Sequence, residues 1–185
     1  MNNRMLNKVC RKLEEQLKND VHPAKGATIN LLDSFLRHCM ERSVHSYFGT
    51  FPADRIPPHI GDLERFQIVV NTSRSDDPPE LGGHFVVIDG RPDSVTYMDP
   101  LAFPCRQNDL ADFLTSCNRP LFYNNVKIQH DDSVFCPMYC ALFILYYHIR
   151  PSWTLKFSPS DLRGNEDMCM RQIKLLINDP RLHPA

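Results

Sequence analysis

Apolar residues at the start of the chain recur every three or four positions. Leu6, Val9, Leu13 and Leu17, separated by Arg11, Lys12, Glu14, Glu15 and Lys18, predict an amphipathic helix over residues 3 to 19. Residues 21 to 26, with Pro23 among them, end it. Ile29, Leu32, Phe35, Leu36 and Met40 predict a second helix over residues 28 to 42, capped by Thr28. From Tyr47 the pattern changes to short apolar runs between turn residues. Residues 66 to 71 read as a strand, whereas residues 52 to 62 are too rich in proline for a regular element and read as a loop. Two four-residue apolar runs, 85 to 88 and 95 to 98, flank the turn segment DGRPDS and predict an antiparallel hairpin. A centre between Arg91 and Pro92 pairs 88 with 95, 85 with 98, and His84 with Asp99. Leu110, Phe113 and Leu114 predict a short helix over 108 to 117, and residues 121 to 123 and 126 to 129 read as one interrupted strand or two short ones. Residues 137 to 147 are almost wholly apolar with no polar face, the pattern of a helix buried on all sides; a last helix runs from 160 or 161 to about 178.

Strands in the middle with helices on their flanks predict an α+β fold. Its core is a small mixed or antiparallel sheet, with a buried helix beside it. Residues 1 to 42 read as a helical extension packing on a domain formed by 43 to 185. At 185 residues the chain is long enough for a full core, and 42% apolar with 23% charged residues is an ordinary globular balance. A formal net charge of −1 gives no global attraction to nucleic acid or anionic membrane. The first residues lack an apolar signal run and no stretch reaches bilayer length, so a soluble, intracellular protein with no membrane partner is expected. Seven cysteines without paired spacing suit a reducing compartment, and no metal site is expected from them.

The buried helix brings in chemistry. Pro137 fits only the first turn of a helix, and Asp131, Asp132 and Ser133 are start residues, so Cys136 is expected at or beside the N-cap. There unpaired amides and the positive end of the helix dipole favour a thiolate. The opposed His84 and Asp99 supply an imidazole and a carboxylate at the open end of the hairpin. A thiolate to attack a carbonyl, an imidazole to carry the proton and a carboxylate to orient that imidazole are the requirements of a cysteine protease. Gln129, seven residues before Cys136, is the candidate side-chain donor to an oxyanion, with the Cys136 amide as a second. Each of these residues also has an ordinary structural role open to it: a small apolar helix residue, an edge histidine, a turn aspartate, a strand-end amide.

Four ordered segments resemble the adenovirus-type (adenain-like) cysteine endopeptidases, which share a fold core with the proteases that deconjugate ubiquitin-like modifiers such as SUMO. YFGTF at 47 to 51 is similar to the family's FLGTF-type segment, and VVNTS at 69 to 73 to its IVNTA-type strand end. GGHF at 82 to 85 resembles the segment bearing the catalytic histidine, and Gln129-x6-Cys136, with Ser133 and Phe143, the oxyanion and nucleophile motif. The resemblance covers residues 47 to 148. It implies that Cys136 is the nucleophile, His84 the base, Asp99 the orienting acid and Gln129 the oxyanion donor, with no cofactor. It further implies cleavage of capsid or core precursors at Gly-containing sites during maturation of a virus or virus-derived element, in the host nucleus and the virion. Three positions depart from the pattern: Asp99 stands where adenoviral members carry Glu, Phe85 where Trp is common, and Pro137 where the family has Gly. Asp serves in the related deconjugases, so removal of a ubiquitin-like modifier after Gly-Gly is the alternative activity. A catalytically silent binding protein is the alternative of another class. The family's stimulation by DNA finds no basic surplus here, and Cys117 lies only in the general region of a peptide-linking cysteine.

Overall fold

The computed structural model describes residues 8, 11, 12, 15, 26–40, 47–78, 83–149 and 156–179. Of the helix expected over residues 3 to 19, Lys8, Arg11, Lys12 and Glu15 are helical and exposed; the rest of it lies outside the described residues. Five strands form one sheet in chain order: β1 (Tyr47–Pro52), β2 (Phe66–Asn71), β3 (Phe85–Arg91), β4 (Ser94–Met98) and β5 (Leu121–Tyr123). The inner pairs β2–β3 and β3–β4 are antiparallel, and the outer pairs β1–β2 and β4–β5 are parallel, so the sheet is mixed. Four helices are described in full: α1 (Gly26–Met40), α2 (Asn108–Ser116), α3 (Cys136–Ile149) and α4 (Leu162–Leu176).

The alternation of side chains along β2 to β4 divides the core in two. Val69, Phe85, Val87 and Met98 face α1, α3 and α4, while Phe66, Ile68, Val70, Val86, Ile88, Val95 and Tyr97 face α2 and the segment before β2. Both faces are covered, which is why every residue of β2 is buried and its sequence shows no polar alternation. Helix α3 is enclosed as its composition requires: every residue from 136 to 146 is buried. Helix α1 contributes Leu32, Phe35 and Leu36, all fully buried, to the same cluster. It is fastened to β1 by polar contacts as well. Asp33 Oδ1 accepts from the Thr50 amide at 2.8 Å and the Tyr47 hydroxyl at 2.9 Å, and Arg37 donates to the Phe48 carbonyl at 2.7 Å. The strand bulges between Tyr47 and Gly49, where Gly49 takes φ 151° and a Cβ would strike the Arg37 guanidinium.

The structure differs from the sequence reading in three places. The proline-rich stretch is not plain loop: two short 3-10 helices, Ala53–Arg55 and Pro58–Asp62, lie within it and bury Ala53 and Ile60. Residues 126 to 129 form no strand and instead run as irregular chain toward α3. The hairpin turn is two residues long, Pro92 and Asp93, so Val87 pairs with Met98 where residue 85 was expected. Gly90 is therefore a strand residue, and its missing side chain makes room for the Phe66 ring.

Because Phe35 is completely buried between α1 and the rest of this core, Phe35→Ala is expected to destabilise the protein by about 3–5 kcal/mol, read as a lowered urea midpoint at unchanged m-value.

Candidate active site

Helix α3 starts at Cys136. The Phe135 carbonyl accepts from the Met138 amide at 2.9 Å and the Tyr139 amide at 3.1 Å, so Phe135 is the cap residue and Cys136 the first residue of the helix. The Cys136 amide thus belongs to the first turn, where backbone donors have no acceptor within the helix. Pro137 follows at a position where its missing N–H sacrifices no helical bond. Upstream, Ser133 Oγ accepts from the Phe135 amide at 3.2 Å and fixes the approach of the chain.

His84 lies immediately before β3. The β2–β3 ladder continues one residue beyond the strands: the Thr72 amide donates to the His84 carbonyl at 2.7 Å, and the His84 amide donates to Thr72 Oγ1 at 3.2 Å. Gly83 before it packs against Asn71 so closely that a Cβ would overlap the Asn71 side chain. That carboxamide in turn accepts from the Ser73 amide at 3.0 Å.

His84 Nε2 lies 2.7 Å from Asp99 Oδ1. The contact survives the altered register because the shift is by two residues. Continuing the observed pairing sets Asp99 opposite Val86, and His84 is then its diagonal neighbour on the same face. With Nε2 on the carboxylate, Nδ1 remains for Cys136, which lies near enough to the ring to act on its protonation. The His84 side chain is 22% exposed and that of Asp99 3%. Burial alone would push the imidazole pKa down. The hydrogen bond to Asp99 and then the proximity of Cys136, together with their charges, more than reverse this and raise it to about 10. The direction of the shift favours the protonated ring at neutral pH.

Asp99 is held by its whole peptide environment. Its Oδ1 also accepts from the Leu101 amide at 2.7 Å, its amide donates to Asn124 Oδ1 at 2.7 Å, and Asn124 Nδ2 donates back to its carbonyl at 2.7 Å. The turn closes through the Ala102 amide, at 2.8 Å from the same carbonyl, with Ala102 in the left-handed region at φ 56°. One residue on, the Pro100 carbonyl accepts from the Ile128 amide at 2.9 Å and the Gln129 amide at 3.0 Å. Asn165 of α4, itself buried, grips the other side of that peptide by donating to the Ile128 carbonyl at 2.9 Å.

Gln129 is 1% exposed, and its Nε2 donates to the Ser133 carbonyl at 2.7 Å. That bond sets the amide orientation and leaves the second N–H of the same nitrogen for another acceptor. Gln129 Oε1 is buried with no hydrogen-bond partner among the described residues, an arrangement that costs about 1–3 kcal/mol.

The structure thus brings His84, Asp99 and Cys136 together, the first two hydrogen-bonded, and places Gln129 in the segment that leads into the helix bearing the thiol. Sequence reasoning missed Asn124 and Asn165. An Asn-Asn pair after a strand reads as turn composition and an Asn in the first turn of a helix as a start residue, so neither carried a signal of its role. Cys140, one turn inside α3, is a cysteine of a different kind: complete burial, and then Cys136, push its thiol well above the ordinary value. Among the described residues no group of three or more His, Cys, Asp or Glu is arranged to hold a metal ion, and no helix is long and apolar enough to cross a membrane.

Two outcomes test this geometry. The raised His84 pKa means that its protonated form stabilises the fold fully below the free-imidazole value of 6.5 and that this stability is lost as pH rises through about 10. Activity that needs the imidazolium should fall on the same alkaline limb, and Asp99→Asn should move the limb to lower pH in a pH–rate profile. Asn165→Ala removes the donor to Ile128 and should lower kcat by about tenfold or more with little change in KM, alongside about 1–3 kcal/mol of lost stability in urea.

No protein-family profile matches the chain, and no curated protein does. Among solved structures it is similar to the Chlamydia abortus effector protein ChlaDUB, at 15% identity and a TM-score of 0.44, over 66% of this chain and 62% of that one. It is similar also to AvrA delL154 with IP6 and CoA, at 14% identity and 0.46, over 80% and 62%. A third is the central domain of the uncharacterized Lpg1148 protein from Legionella pneumophila, at 15% and 0.39, over 72% and 88%. The chain spans 62% of the length of the first two. Likenesses this distant carry no argument about chemistry, which rests on the side chains themselves.

Proposed function

We propose that this protein is a cysteine endopeptidase. The observation that carries the reading is the imidazole of His84 hydrogen-bonded to Asp99 at 2.7 Å and set close to Cys136, the first residue of a buried helix. In the reaction, the Cys136 thiolate attacks the carbonyl carbon of the scissile peptide. The carbonyl oxygen becomes an oxyanion and takes hydrogen bonds from the Cys136 amide and the free N–H of Gln129 Nε2. The His84 imidazolium gives its proton to the leaving nitrogen, the C–N bond breaks, and a thioester to Cys136 remains. Water then attacks the thioester, passing a proton to His84, and the thiolate leaves. Asp99 holds the ring in place and stabilises its charge throughout.

The resemblance of YFGTF, VVNTS and GGHF to the adenovirus-type enzymes favours structural precursors of a viral or virus-derived particle as substrates, cut beside glycine. A second reading, removal of a ubiquitin-like modifier after Gly-Gly, is favoured by the choice of Asp as the orienting acid. The two separate on cleavage of a modifier fusion against a Gly-containing precursor peptide.

The test is hydrolysis of a fluorogenic Gly-peptide library by wild type, Cys136→Ala and His84→Ala. Both substitutions should reduce kcat/KM by about a thousandfold or more. An electrophilic probe should label Cys136 ahead of Cys105 and Cys117, whose thiols burial pushes up. Undiminished cleavage by either variant, or labelling of Cys136 no faster than of the others, would sink the proposal in favour of a binding protein.

A further inference from the structure

A cavity of about 390 Å³ opens off the catalytic imidazole. His84 and Asp99 form part of its wall and Cys136 does not, so it adjoins the imidazole and its carboxylate rather than the thiol. That position has a meaning in the reaction. The proton carrier must reach the leaving nitrogen, so the chain that departs with that nitrogen lies over the imidazole and beyond it.

The rest of the lining is chemically specific. Leu101, Phe103 and Leu110 supply apolar flanks. The polar groups of the wall are mostly committed already: Thr72 Oγ1 accepts from the His84 amide, and Gln107 caps α2 by accepting from the Leu110 amide at 2.6 Å. Two are not. Tyr97 is 2% exposed overall, lines the cavity, and makes no side-chain hydrogen bond to the other described residues of the wall. Burial, and then the charge of Asp99, push its phenol up, so it keeps its proton as a donor. Arg106 is exposed at the wall and forms no ion pair among the described residues. A phenol on the wall of a cavity with apolar flanks can donate to a polar ligand atom, and an unpaired guanidinium selects a carboxylate.

We propose that this cavity binds the leaving side of the substrate: a large side chain with an apolar body and a hydrogen-bonding end, of the tyrosine or glutamine kind, directly after the scissile bond, followed by an acidic residue that meets Arg106. The proposal rests on the endopeptidase reading and extends it to the half of the substrate that the glycine preference leaves undefined.

The experiment uses the full chain and peptides with Gly-Gly before the scissile bond. The next residue is varied among Ala, Leu, Tyr and Gln, and the one after it between Glu and Lys. Tyr or Gln followed by Glu should be cleaved about tenfold more efficiently than Ala followed by Lys, mainly through KM. Tyr97→Phe should narrow the advantage of Tyr and Gln over Leu, and Arg106→Glu should reverse the Glu-over-Lys preference by about three- to fivefold. A binding measurement reads the cavity without turnover: the amine peptide Tyr-Glu-Ala should perturb the NMR signals of Leu101 and Leu110 in the Cys136→Ala protein, and less so with Arg106→Glu added. Cleavage that is indifferent to both leaving-side positions, or preferences unmoved by both variants, overturns the cavity assignment and leaves the endopeptidase standing. Absence of cleavage with an unreactive Cys136 overturns the endopeptidase and the assignment with it. Absence of Tyr-Glu-Ala binding to the Cys136→Ala protein overturns the assignment alone.

Discussion

A single turn, Asp99 to Ala102, holds the two halves of the candidate site in register. The Asp99 carboxylate takes the imidazole and an amide of its own turn, while its backbone is bracketed by Asn124; the next carbonyl, of Pro100, takes the amides of Ile128 and Gln129. Asp99 and Gln129 are therefore one peptide unit apart in their attachment, although thirty residues separate them in the chain. Buried hydrogen bonds of this kind contribute little net stability each. Their weight lies in the penalty for breaking any one, since its partner is then left unsatisfied in a low-dielectric setting. The site is rigid because the alternatives are costly.

The sheet provides the platform for that turn. Two antiparallel ladders bring the start of β3 and the end of β4 to one edge, and the same edge receives the mouth of α3 from the helical layer. The apolar enclosure of α3, buried from 136 to 146, fixes Cys136 in position. His84 is settled differently, by the last rung of the β2–β3 ladder at Thr72 and by the close approach of Gly83 to Asn71. These are the residues of the VVNTS and GGHF segments, which gives their sequence character a structural reason.

Much of this was legible in the chain. The buried helix announced itself by the lack of any polar face, and Pro137 placed its start. The opposition of His84 and Asp99 could be read from two symmetric apolar runs even though the turn was misjudged. A strand has period two, and an error of two residues keeps every side chain on its face. An error of one would have separated the pair. Other features left no mark. Gly90 looked like a turn residue because its reason for being glycine, the Phe66 ring, is 24 residues away in sequence. The grip of Asn165 on Ile128 depends on how α4 docks, which no local pattern encodes, and residues 126 to 129 had the apolar texture of a strand without a neighbour to pair with.

The strands lie side by side in the order in which they are synthesised, so each finds its antiparallel or parallel neighbour already present on the chain. Helix α3, with no face suited to water, emerges only after all five strands exist to receive it, and α4, which carries Asn165, follows later still. His84 and Asp99 are thus laid down before Cys136, and Asn165, the last brace on the segment holding Gln129, arrives at the end. The thiol is therefore the last of these three groups to arrive, and it arrives at a sheet whose strands are all already made.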